Sequence, residues 1–236
     1  MNIKKVHFQD LGIIDYQAAY DLQGLLFSKK VDAKLHNRTN PTQTLTIENN
    51  LLFCEHPHVY TLGKSGKIEH LLLSKEGLEL AKATFIHIDR GGDITYHGYG
   101  QLVGYPILDL EQFEPDIIRY MTALEEVIIK TIAHYGLIGT RLDDNRGVWI
   151  DAKHHAKARK IAAFGVKTSR WISKHGWGLN VNTNLTYFNN IIPCGLTDKG
   201  VTSIQKELDG QTIDLQDVKK WLRYHFEEVF DCQLQL

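Results

Sequence analysis

Three cysteines in 236 residues, Cys54, Cys194 and Cys232, are too few and too far apart for a disulfide framework. Their odd number points to a reducing compartment, and without a C-x-x-C pair the zinc-ligand reading fails. No window approaches the ~18 apolar residues of a membrane span. Residues 1–10 carry charges and lack an apolar core, so they do not read as a secretory signal. A formal net charge of -1 argues against a nucleic-acid binder working by bulk electrostatics. No complete G-x-x-x-x-G-K-[ST] phosphate loop occurs, and Gly98, Gly100 and Gly104 are spaced one residue too widely for a dinucleotide fingerprint. With no repeat, low-complexity stretch or linker, one domain over residues 1–236 is the simplest organisation. Apolar and charged contents of 43% and 23% are those of an ordinary globular chain. The expectation is a cytoplasmic protein that neither enters membranes nor binds nucleic acid.

Periodicity predicts strands over 3–8, 44–54 (with a turn signal at Asn49-Asn50), 85–89, 102–110, 147–150 and 160–166. A further strand over 170–173 leads into 174–182. Helices are predicted over about 15–35, 74–83, 115–135 (stopped by Gly136), 201–208 and 215–230. Residues 55–64 mix polar groups with turn formers and read as a surface connection. The basic run 153–159 reads as a solvated tip or as a dock for an acidic partner.

Three stretches are chemically distinctive. Ile191-Ile192-Pro193-Cys194-Gly195 places one thiol between a fixed and a permissive backbone position, as a rigid nucleophile or a buried structural cysteine. Between Arg90 and Gln101 stand Gly91, Gly92, Gly98 and Gly100, far above the average glycine frequency of about 7%. Backbone amides there can approach a ligand closely, with Arg90 as a fixed charge. Lys160 leads into the small-residue strand Ile161-Ala162-Ala163-Phe164-Gly165-Val166. It is either a partly buried proton carrier or a snorkelling strand-end lysine. Gly176, Trp177 and Gly178 either wall an apolar slot or pack a core.

Four segments together, 56–63, 90–104, 160–182 and 193–203, resemble the lipoyl(octanoyl) transferase family in order and spacing, over about residues 44–208. The resemblance implies an α/β fold, a mixed β-sheet covered by helices, shared with lipoate and biotin protein ligases. It implies transfer of an octanoyl group from octanoyl-acyl carrier protein to a lysine of a lipoyl domain, the acceptors being 2-oxoacid dehydrogenases and the glycine cleavage H protein. Cys194 would carry the acyl group as a thioester with Lys160 as its partner base. Arg90, Gly91, Gly92, Asp93, Ile94, Thr95, Tyr96 and His97 would line the substrate site, completed by Ala163, Phe164, Gly165, Gly176, Trp177 and Gly178. No metal or cofactor is implied. The chain departs from the family pattern at Tyr99, Phe164 and Gly178, and the last two bear on the depth of the acyl slot. Competing readings are an ATP-dependent lipoate or biotin ligase, a cysteine hydrolase pairing Cys194 with His97 or His175, and a non-catalytic acyl-binding module.

Overall fold

The computed structural model describes residues 3–142, 145–154, 157–192 and 199–236. Among them the larger sheet contains β1 (Lys4–Ile13), β2 (Asn49–Glu55), β6 (Gln101–Ile107), β7 (Thr140–Leu142), β8 (Asn145–Ile150), β9 (Arg159–Ser169), β10 (Ile172–Asn180) and β12 (Cys232–Gln235). Its order is β12-β1-β2-β6-β10-β9-β8-β7, and the short β11 (Gly200–Val201) adds in parallel to the start of β9. β1 runs parallel to both β2 and β12, while the pairs from β2 to β7 are antiparallel. A smaller sheet, β4-β3-β5, contains β3 (Val59–Leu62), β4 (Thr84–His87) and β5 (Ile94–His97).

Alternation along β2 shows why the large sheet is covered on both faces. Leu51 and Phe53 point into a core with Leu124, Val127 and Ile128 of α3 (Ile117–Ala133) and Leu222 and Phe226 of α5 (Leu215–Phe230). Leu52 and Cys54 point the other way, against Ala19, Leu22 and Leu26 of α1 (Tyr16–Thr39). Asp15 and Asp116 cap α1 and α3, each side chain accepting from two first-turn amides. Two shorter helices, α2 (Lys75–Leu80) and α4 (Ile204–Glu207), lie within the spans 74–83 and 201–208 expected from the sequence.

Several expected boundaries move. The 44–54 strand begins only at Asn49, and the 15–35 helix runs on to Thr39. Pro115 precedes the cap of α3 instead of entering its first turn. The strand expected over 170–173 starts only at Ile172, as part of β10 (172–180): Arg170 and Trp171, with φ of 48° and 64°, form the hairpin tip before it. Residues 59–62, read as part of a surface connection, are the buried central strand of the small sheet. A four-residue strand flanked by His56-Pro57-His58 and Gly63 is too short to show a period. β5 was likewise hidden within the glycine-rich run, and β7 and β12 carry no pattern long enough to announce themselves. No helix among the described residues is long and apolar enough to cross a membrane.

Candidate active site

The glycine-rich run joins the two sheets. After β4 the backbone amide of Gly91 donates to the Val166 carbonyl of β9 at 3.1 Å. On its other side Gly63, Lys64 and Ser65, just beyond β3, donate to the carbonyls of Asp93, Arg90 and Gly92. Arg90 is buried at this junction. Its Nη2 donates to the Thr61 carbonyl at 2.9 Å and to Thr61 Oγ1 at 3.1 Å, and Nη1 donates to the Gly91 carbonyl at 3.1 Å. The planar fork of arginine suits this divergent set of acceptors. Asp93 Oδ2 lies 2.5 Å from His70 Nδ1.

Strand β5 then carries Thr95 and His97 towards a cavity. Gln101 Nε2 donates to Asn180 Oδ1 (2.9 Å) and to the Tyr96 carbonyl (3.1 Å), which leaves Oε1 facing His97 Nδ1 at 2.6 Å. That oxygen can only accept, so His97 is assigned its proton on Nδ1 and a lone pair on Nε2. Burial lowers the His97 pKa to about 3, and the nearby His56 ring, which disfavours a second proton beside it, contributes to the lowering. His97 is therefore a neutral hydrogen-bonding group and a poor base at neutral pH. Gly178 leaves room for the pair: a Cβ there would stand 2.9 Å from Gln101 Oε1.

Lys160 enters from the large sheet at the start of β9. It pairs across to Trp149 of β8 and to Val201 of β11, and its ammonium sits 4.7 Å from the centre of the Trp149 ring.

These groups converge on a cavity of about 560 Å³. Arg90, Gly91, Gly92, Asp93, Ile94, Thr95, His97, Lys160, Ala163, Phe164, Gly165 and Gly178 all line it. Gly176 and Trp177 instead line a smaller recess of about 50 Å³ that shares Phe164, Gly165, Gly178 and His97 with the larger space. The Phe164 and Gly178 departures thus stand where the two spaces meet. Tyr96 lines neither. Strand alternation turns it into an aromatic cluster, with its hydroxyl 2.7 Å from His58 Nδ1 and its ring stacked on Tyr187. Tyr99 is about half exposed, edge-on to His58 and away from the cavity lining. Cys194, with Pro193 and Gly195, lies outside the described residues.

Sequence reasoning overlooked Thr61, Gln101, Arg146, Trp149 and Asn180. Thr61 was obscured by the misread strand β3. The other four line the cavity through tertiary placement, although a polar Asn180 directly after Trp177-Gly178-Leu179 was a usable signal. His175, weighed as a base, has its Nε2 2.8 Å from Asp89 Oδ1. This contact, helped by Lys167 at 2.6 Å, holds the Asp89 carboxyl well below the ordinary carboxylate range. Arg159, expected in a solvated tip, is bound by Glu207 and Asp151 at 2.5 Å each and opens β9.

The lipoyl protein ligase A/B catalytic domain matches residues 25–227. An octanoyltransferase of Cytophaga hutchinsonii is 52% identical over 233 residues, covering 98% of this chain and 95% of that protein. An octanoyltransferase of Flavobacterium psychrophilum is 52% identical, covering 97% and 98%. Among solved structures, the bipartite lipoate protein ligase of Thermoplasma acidophilum, studied with its E2 lipoyl domain, aligns with a TM-score of 0.70 at 13% identity, covering all of this chain and 86% of that one. Lipoate-protein ligase A bound with ATP aligns with a TM-score of 0.66 at 14% identity, covering 99% and 87%. At such identities the structures speak for the fold alone, which is the expected α/β fold of a mixed sheet covered by helices. The family match and the half-identical, full-length relatives decide the rest: the chain belongs to the lipoyl protein ligase A/B catalytic domain family and, within it, to the octanoyltransferases.

Proposed function

We propose that this chain, acting as a single cytoplasmic catalytic domain over residues 1–236, moves an octanoyl group from octanoyl-acyl carrier protein to a specific lysine of a lipoyl domain. The acceptors are the lipoyl domains of 2-oxoacid dehydrogenases and the glycine cleavage H protein. The reading is carried by relatives about half identical over nearly the whole chain that bear the octanoyltransferase name. It is supported by a cavity that holds Lys160 beside an arginine-anchored, glycine-rich wall.

Donor thioester and acceptor amine arrive on separate proteins, so a covalent relay lets each dock alone. Cys194 attacks the octanoyl carbonyl as thiolate, the pantetheine sulfur departs as a thiol with the proton given up by the Lys160 ammonium, and a Cys194 thioester remains beside a free Lys160 amine. A cysteine of ordinary pKa, about 8.5, is mostly protonated at neutral pH. An ammonium ~4 Å away at an effective dielectric of ~20 favours the thiolate by about 4 kcal/mol, roughly three pKa units before desolvation is subtracted. Lys160 is the cation assigned that work. In the second step Lys160, as free amine, takes the proton of the incoming lysine, whose nitrogen attacks the Cys194 thioester and releases the thiolate. His97, neutral and tied through Nδ1 to Gln101, shapes the wall and leaves this proton to Lys160. The step requires neither ATP nor a metal.

Intact mass spectrometry after mixing with octanoyl-acyl carrier protein, without ATP, tests the reading. One octanoyl adduct, absent from Cys194→Ser under thioester-cleaving conditions and chased by a lipoyl domain, is expected. An absolute requirement for ATP would replace it with an adenylating ligase, and release of octanoate without transfer would indicate a hydrolase.

A further inference from the structure

Trp149 is 1% exposed, and its Nε1 donates to the Asn145 carbonyl at 3.0 Å, so its ring plane is pinned within β8. The Lys160 ammonium lies over that plane, 4.7 Å from its centre, within the range of an attractive cation–π contact. Two residues earlier, on the same face of β8, stands Gly147 with φ of 144°. A Cβ there would approach Lys160 Cε at 3.0 Å and Cδ at 3.2 Å, besides the Ala162 carbonyl oxygen at 2.9 Å. Gly147 is itself held from behind, its amide donating to Glu125 Oε1 of α3 at 3.0 Å. The lysine stem therefore passes over a bare Cα while its head rests on an indole face.

We propose that Trp149 and Gly147 are positioning residues for Lys160: the indole carries the ammonium, and the missing side chain at 147 opens the path that delivers it into the cavity. The functional consequence rests on the reading of Lys160 as partner of the acyl-transfer chemistry. Lysine has many rotamers to lose, and a channel of this kind settles its head before either substrate arrives. The aromatic face also favours the charged form, the one that promotes a neighbouring thiolate. The other ionisable side chains lining this cavity, among the described residues, are Arg90, Asp93, His97, Arg146 and Lys199.

The test is an NMR titration of Lys160, observed through 13Cε-labelled lysine in the full chain and assigned by its loss in Lys160→Arg, combined with steady-state transfer. Trp149→Leu is expected to lower the Lys160 midpoint by about half to one pH unit, and Trp149→Phe to restore most of it. Gly147→Ala is expected to reduce kcat by about 10-fold or more while KM for octanoyl-acyl carrier protein stays within about twofold. If Trp149→Leu fails to fold, 5-fluorotryptophan keeps the ring shape and weakens its face, and a lowered midpoint is again expected. An unmoved midpoint in the leucine and fluorinated proteins overturns the proposal, as does Gly147→Ala with wild-type kcat. The dyad is tested separately by Lys160→Met. If that variant still acylates itself at the normal rate while Trp149→Leu shifts the midpoint, the base assignment fails and the positioning stands.

Discussion

At the scale of single residues, the candidate site is built by polar groups whose partners leave them little choice. Arg90 shows this best, since its fork reaches acceptors on both β3 and its own turn. A lysine offers one compact head and cannot span them. Arg90→Lys is expected to lower transfer activity at least about 10-fold and to cost about 1–3 kcal/mol of stability through the unmatched Thr61 carbonyl, read by urea denaturation. Thiol chemistry separates the cysteines in the same way. Burial raises the Cys54 thiol far above its ordinary value and the Cys232 thiol to about 12. At pH 7.5 neither is expected to react with iodoacetamide in the native protein, and both are expected to do so in denaturant, as peptide mass mapping will report.

Elements matter next, because the site is assembled at their junctions. Helix α3 lines the cavity with Met121 and braces its wall through Glu125, a carboxylate 1% exposed that accepts from the Gly147 amide and faces Arg141 and Arg146 at 3.2 and 3.3 Å. Removing it leaves a buried amide and part of the arginine charge unmatched. Glu125→Ala is expected to destabilise by about 2–4 kcal/mol in denaturant unfolding, with Glu125→Gln, which keeps an acceptor oxygen, costing clearly less. The same helix was legible from its apolar stripe, as was α5, since sixteen or more residues sample the 3.6 period several times. Strands β3 and β5 were not legible. Four residues sample a two-residue period only twice, and their histidine and glycine neighbours carry turn signals of their own.

For the whole molecule, the buried histidines set the response to acid. Burial lowers the pKa of His56 to about 4 and of His97 to about 3, from about 6.5 in the unfolded chain. Depressed folded-state values mean that the unfolded chain binds more protons below pH 6.5. The stability due to neutral His56 and His97 is complete above that pH and is lost as pH falls towards their folded values. The two groups together are expected to remove about 2 kcal/mol between pH 6 and pH 5. Denaturant melts across this window check it. A flat profile, or a restored one in which neither histidine titrates, would contradict the assignment of both rings as buried and neutral.

The chemical inventory was determined by sequence alone, because it depends on residue types in local order: the Cys194 corner, the lysine leading an apolar strand, the arginine ahead of paired glycines, and the long amphipathic helices. What tertiary structure decided is which of these share one space. The backbone hydrogen bond from Gly91 to Val166 ties the two sheets together, and Arg90 and Lys160, seventy positions apart, line one cavity, while Tyr96 turns out of it. Such proximity arises from sheet order and strand alternation summed over the chain, and no local stretch of residues encodes it.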